Sequence, residues 1–183
     1  MENKNLIWKS SVQKAFYGLL AFTLLSGFLG SLIDFLADEP IPTIVSILAL
    51  VGYVYYFLGV KGMKASAQGS VMEQGTANLY SGTLLALIGA IVDVVPLLGW
   101  VAAIIKIIGF FKMMSGFNSL RNVATNPLAA KGAKQLWTMM ILTIVATVLG
   151  LIPLAGDIIE MLISIPALIL TFLGWKNFSN SEL

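Results

Sequence analysis

The sequence contains no cysteine and no histidine, and only 11% of its 183 residues are charged. The first two absences remove disulfides, thiol nucleophiles, Cys/His zinc sites and imidazole acid–base chemistry together. The third argues against a soluble fold. Soluble domains carry about 25% charged residues, and a chain that is 58% hydrophobic, with a mean hydropathy of +0.91, has too little polar surface to cover itself. Lipid is the solvent in which apolar side chains can face outward, so an integral membrane protein is expected. The catalytic motifs are missing as well. There is no H-E-x-x-H, no G-x-S-x-G and no P-loop, so neither an enzyme nor a cofactor or metal site is expected. The net charge of +2 and the lack of an aromatic-interleaved basic patch exclude nucleic acid as a partner.

What is present is a set of six apolar segments, 14–36, 41–60, 79–95, 99–117, 136–152 and 157–175. At 1.5 Å per residue they reach roughly 25–35 Å, against a hydrocarbon core of about 30 Å. The first is too long for a signal-peptide core of about 7–15 residues and is read as a retained anchor helix. Short turns join the segments in pairs. The first turn is 37–42, with Asp38, Glu39, Pro40 and Pro42; the second runs from Pro96 to Gly99, the third from Pro153 to Gly156. Proline cannot continue a helix and glycine tolerates the turn, so each is a breaker. The stretches between pairs, 61–81 and 118–135, read as weak helix or loop at the membrane surface. The expected fold is all-α: six transmembrane helices as three parallel helical hairpins in one membrane domain. The alternative is four spans, with the third and fourth segments re-entrant or merged.

A repeat underlies the pairs, over about 14–64, 77–121 and 134–178. Pro96, Leu97 and Gly99 recur as Pro153, Leu154 and Gly156, a period of 57; Gly52 and Gly59 recur as Gly109 and Gly116 at the same period. Gly27, Gly30 and Asp34 match Ala86, Gly89 and Asp93 at 59, and Thr143, Ala146 and Gly150 stand in the third copy. Tyr17, Tyr80 and Trp137 open the three units. Such parallel repeats predict a pseudo-threefold bundle related by an axis along the membrane normal.

Charge sets the orientation. Of the 11 basic residues, all but Lys106 fall toward the ends that share a side with both termini, and six of the nine acids, Asp34, Asp38, Glu39, Asp93, Asp157 and Glu160, fall at or near the opposite turns. The positive-inside rule then places both termini in the cytoplasm. The Lys-rich, Cys-free style and short soluble parts resemble small multi-spanning bacterial proteins, which implies a multi-pass protein of the bacterial inner membrane.

Two features are candidate sites. Gly82, Ala86, Gly89 and Asp93 share one helical face, as do Gly27, Gly30 and Asp34, so these small residues form packing stripes along which backbones can approach. Asp34 and Asp93 could also line an outward-facing acidic vestibule, but the third unit has Gly150 there instead of an acid. Lys106 lies about 10 Å below its turn, where a lone charge costs at least about 2.5–3.5 kcal/mol and should find a partner. Glu160 of the neighbouring hairpin is the expected partner, with Asp93 of the same hairpin as the alternative. Asp34, Asp93, Lys106 and Glu160 are therefore the candidate intramembrane polar or ion sites. Pro166, inside the sixth segment, is expected to kink it.

With so little chain outside the bilayer, the expected function is non-enzymatic and works by assembly, as a channel- or pore-like homo-oligomer. An accessory subunit of a larger membrane complex and a small ion or solute transporter are the alternatives. The partners are the lipid bilayer and further copies or other membrane proteins.

Overall fold

The computed structural model describes residues 2–25, 43–149 and 156–183, except the side chains of residues 2, 43, 44, 46, 47 and 156–161. Its described part is all-helical, with α1 (Glu2–Thr23), α2 (Thr43–Ser66), α3 (Glu73–Asp93), α4 (Gly99–Val123), α5 (Pro127–Leu149) and α6 (Gly156–Ser179). Four of these, α3, α4, α5 and the Leu162–Ser179 part of α6, are long and apolar enough to cross a membrane, which is consistent with a helical membrane protein. The third and fourth sequence segments are continuous helices of 21 and 25 residues, about 32 and 37 Å long.

On the side that holds the termini the helices run beyond the apolar segments: α1, α3 and α5 start earlier, and α2, α4 and α6 end later. α1 begins at Glu2, not near residue 14, because Trp8, Val12 and Ala15 recur at helical spacing and are fully buried. The stretches between pairs are mostly helical too. Only residues 67–72 separate α2 from α3, and only 124–126 separate α4 from α5. Local chemistry fixes the second of these joints. The Asn126 Oδ1 accepts hydrogen bonds from the amides of Leu128 (2.9 Å) and Ala129 (3.3 Å), and Pro127 opens α5, where its missing N–H leaves nothing unsatisfied. In the turn between α3 and α4 the left-handed residue is Leu97, at φ 71°, not Gly99, which is already helical. Leu97 is 92% exposed, so its side chain has room there. α6 continues through Pro166.

Packing is antiparallel and pairwise. The most extensive contacts join α1 to α2, α3 to α4 and α5 to α6; smaller ones join α2 to α3, α4 to α5 and α6 to α1, so the order closes on itself. Glycine makes the pairs tight. A Cβ on Gly82 would stand 2.6 Å from the Gly109 carbonyl oxygen, and one on Gly109 2.8 Å from that of Gly82. Gly75 meets Gly116, and Gly132 meets Gly174, in the same way. Between apolar helices in lipid there is little hydrophobic drive, so this close van der Waals approach is what holds them. In α1 and α2, Gly18 stands opposite Gly52, and Gly59 opposite Ser11 and Ala15.

Buried positions recur with the pairs. Val60, Phe117 and Trp175, from α2, α4 and α6, are buried at spacings of 57 and 58 residues, and so are Met63, Leu120 and Phe178. From α1, α3 and α5 come Trp8, Met72 (just before α3) and Ala129, then Ala15, Leu79 and Leu136, at spacings of 64 and 57. The offset of 59 expected for Gly27, Gly30 and Asp34 falls outside the described residues. All twelve buried residues belong to one core cluster. The chain's end closes it. Trp8 Nε1 donates to the buried Ser181 Oγ (3.2 Å), and Lys9 pairs with Glu182 (2.8 Å). That hydrogen bond and charge hold the Glu182 carboxyl below the usual carboxylate range.

Candidate functional site

Of the four candidate polar residues, the structure brings together two. Lys106 Nζ lies 2.6 Å from Asp93 Oδ2. Asp34 and the Glu160 side chain lie outside the described residues. The lysine thus takes the acid of its own helical pair, α3–α4, and the local reason is the packing stripe. A Cβ on Gly89 would sit 2.7 Å from Lys106 Cγ and 3.2 Å from the Ala102 carbonyl oxygen. Gly89 makes room for the lysine stem, which runs along α3 toward its C-terminus. Asp93 there faces the negative end of the helix dipole, and the ammonium offsets that unfavourable placement. Gly82, Ala86 and Gly89 all face α4: a Cβ on Gly109 would lie 3.1 Å from the Ala86 amide nitrogen. Gly27 and Gly30 fall outside the described residues.

Both partners of the ion pair are nearly half exposed, 42% for Lys106 and 48% for Asp93. Exposed pairs are worth about 0–1 kcal/mol. A double-mutant cycle with Lys106→Met and Asp93→Asn, read by denaturation in lipid nanodiscs, is therefore expected to give a coupling of at most about 1 kcal/mol. Lys106→Met alone should be neutral or stabilising, since it removes a charge from the membrane region. A coupling well above that range would mean the pair is held in a dry, functional environment.

Among the described residues no three His, Cys, Asp or Glu side chains converge as a metal set. The interior is instead aromatic. Trp175 of α6 meets the ring of Tyr56 of α2 edge-on at 5.7 Å and that of Phe117 of α4 at 6.2 Å, while Phe178 lies 6.0 Å from Trp175 and 6.2 Å from Trp8. Polar atoms in this interior are satisfied locally. Thr83 Oγ1 donates to the Leu79 carbonyl (2.8 Å), and Tyr53 Oη to the Thr83 carbonyl (3.3 Å). Side chains from three helical pairs therefore fill the described core, and none of them is charged.

One polar feature was not anticipated from the sequence. At the end that holds the termini, Lys64 lies over the Tyr80 ring at 4.5 Å, and Arg121 over the Trp137 ring at 3.7 Å. Each joins one helical pair to the next, α2 to α3 and α4 to α5. The signal was available: both cations stand 16 residues before their aromatic partner, and the two contacts are 57 residues apart. Comparison of the chain with protein-family models, with curated proteins and with solved structures finds no match.

Proposed function

We propose that the chain is a non-enzymatic, multi-pass protein of a bacterial inner membrane, with six spans in three parallel hairpins and cytoplasmic termini, and that it works by assembly in the bilayer. The antiparallel pairing of α1 with α2 and the recurrence of buried positions and glycine contacts support the three-unit reading. The basic ends of the helices support the orientation.

The observation that carries the functional reading is the aromatic filling of the described core, where Trp8, Tyr56, Phe117, Trp175 and Phe178 pack together. A path for ions or solutes needs polar lining or water, and these side chains leave neither in the part of the described core that they fill. Conduction, in this reading, runs between copies. Mass measurement of the native complex in mild detergent, together with conductance in planar bilayers, tests it. A fixed multiple of the chain mass, with conductance only from that multiple, is the expected result. A chain that conducts as a monomer would overturn it. So would one that co-purifies with a different protein in fixed ratio and is unstable alone, which is the behaviour of an accessory subunit.

A further inference from the structure

The seam between α4 and α5 is open at two levels. At the basic end a cleft of about 380 Å³ is lined by Arg121 and Asn122 of α4 and by Ala130, Lys131 and Lys134 of α5. Three cations thus face one space. Among the described residues none of the three has a hydrogen-bond acceptor or an ion-pair partner. Arg121 Nε is buried without an acceptor, and its guanidinium lies on Trp137. A buried donor left unmade is costly, and a guanidinium held against an aromatic ring is pre-organised for an oxyanion. The described acids at this end are engaged elsewhere: Glu182 on Lys9, and Glu73 on the Gly69 amide at 2.8 Å.

Farther along the same seam is a groove of about 440 Å³, lined by Ile107, Phe110 and Phe111 of α4, by Ile144 and Val148 of α5, and at its far end by Lys106. Arg121 and Phe110 are eleven residues apart on α4, about 16 Å along the axis. That matches one leaflet of a hydrocarbon core about 30 Å thick. An apolar groove and a cationic cleft on one seam at that spacing match a phospholipid, with its phosphate at the interface and a chain end in the groove.

We propose that the α4–α5 seam binds one anionic phospholipid from the leaflet on the basic side. Arg121, Lys131 and Lys134 hold the phosphate, and the distal acyl chain fills the groove over Phe110 and Ile144. Charge complementarity selects this occupant over a second copy. A neighbouring copy in the same orientation brings its own basic end to the same level, and like charges there oppose contact. The inference rests on the chain spanning the bilayer, and incorporation of the wild type into nanodiscs checks that reading separately.

Native mass spectrometry of the full chain, released from mild detergent with added phosphatidylglycerol or phosphatidylcholine, tests the site. Each cation near an anionic headgroup is worth about fivefold in affinity. The wild type should therefore retain one phosphatidylglycerol in preference to phosphatidylcholine, and Lys131→Gln with Lys134→Gln should lower that preference by at least about fivefold. Both lysines are exposed, so the fold survives, and Arg121 stays on Trp137. Ile144→Trp, which fills the groove and leaves the cations, should lower retention of both lipids. Equal retention of the two lipids by the wild type, or a preference unchanged in the double variant, would overturn the proposal. Displacement of the bound lipid by millimolar inorganic phosphate would also overturn it, because a free anion and not a lipid would then be the ligand.

Discussion

Gly109→Leu is expected to destabilise the protein by about 3 kcal/mol or more, the upper end of what overpacking costs. The first added carbon decides the outcome. A Cβ at residue 109 would stand 2.8 Å from the Gly82 carbonyl oxygen, 3.1 Å from the Ala86 nitrogen and 3.1 Å from Leu85 Cβ. Two of these three atoms are backbone, which cannot rotate aside as a side-chain tip can, so α3 and α4 must separate. Separation is not local either. Gly75 with Gly116 and Gly89 with Ala102 lie on the same interface, on either side of the Gly82–Gly109 contact, and each loses van der Waals contact when the axes move apart. In lipid little hydrophobic force pulls the helices back. Gly99→Ala is the matched control, because its Cβ would meet only Asp93 Oδ1 at 3.8 Å; it should be neutral, or stabilising by up to about 1 kcal/mol through helix propensity. Denaturation of both variants in nanodiscs checks the contrast. Equal stability of Gly109→Leu and Gly99→Ala would show that the close approach contributes nothing.

Much of the helical architecture was legible because membrane helices announce themselves by length and composition, and because Pro96 and Gly99 mark a break that no helix crosses. The glycines of α3 and α4 were legible as a stripe for a physical reason: spacing of three and four residues places them on one face whatever that face meets. The helix ends were not. Residues 2–13 are mostly polar, and hydropathy stops at the apolar run, whereas backbone hydrogen bonding and the burial of Trp8 and Val12 carry α1 about three turns farther. The partner of Lys106 was not fixed either. Glu160 and Asp93 both lay within reach in sequence terms, and the observed contact with Asp93 depends on the gap that Gly89 leaves for the lysine stem. That gap is a three-dimensional property of two helices, which no periodicity contains. The cation–aromatic contacts at Tyr80 and Trp137 were hidden because their partners come from different helical pairs. Only the equal spacing of 16 residues in two successive units points to them.

Trp175→Ala is expected to cost about 3 kcal/mol. In soluble cores Trp→Ala costs about 3–5 kcal/mol, the sum of a transfer term and a cavity term. In lipid the transfer term shrinks, because a displaced helix still sits in an apolar medium; the lost dispersion contacts remain. Those contacts are many. Trp175 is 1% exposed and touches the rings of Tyr56, Phe117 and Phe178, which tie α6 to α2 and α4. Trp100, at 69% exposure on α4, has no such contacts, so Trp100→Ala should leave stability within about 0.5 kcal/mol of the wild type. The same variant separates two routes of conduction. Removing the indole opens space in the filled core, so a path along the axis of one chain would raise unit conductance in Trp175→Ala. A path between copies would leave unit conductance unchanged while the fraction of assembled protein falls with stability. Single-channel recording of Trp175→Ala beside Trp100→Ala reads both quantities, and an increase in unit conductance confined to Trp175→Ala would move the path from between the copies into the chain itself.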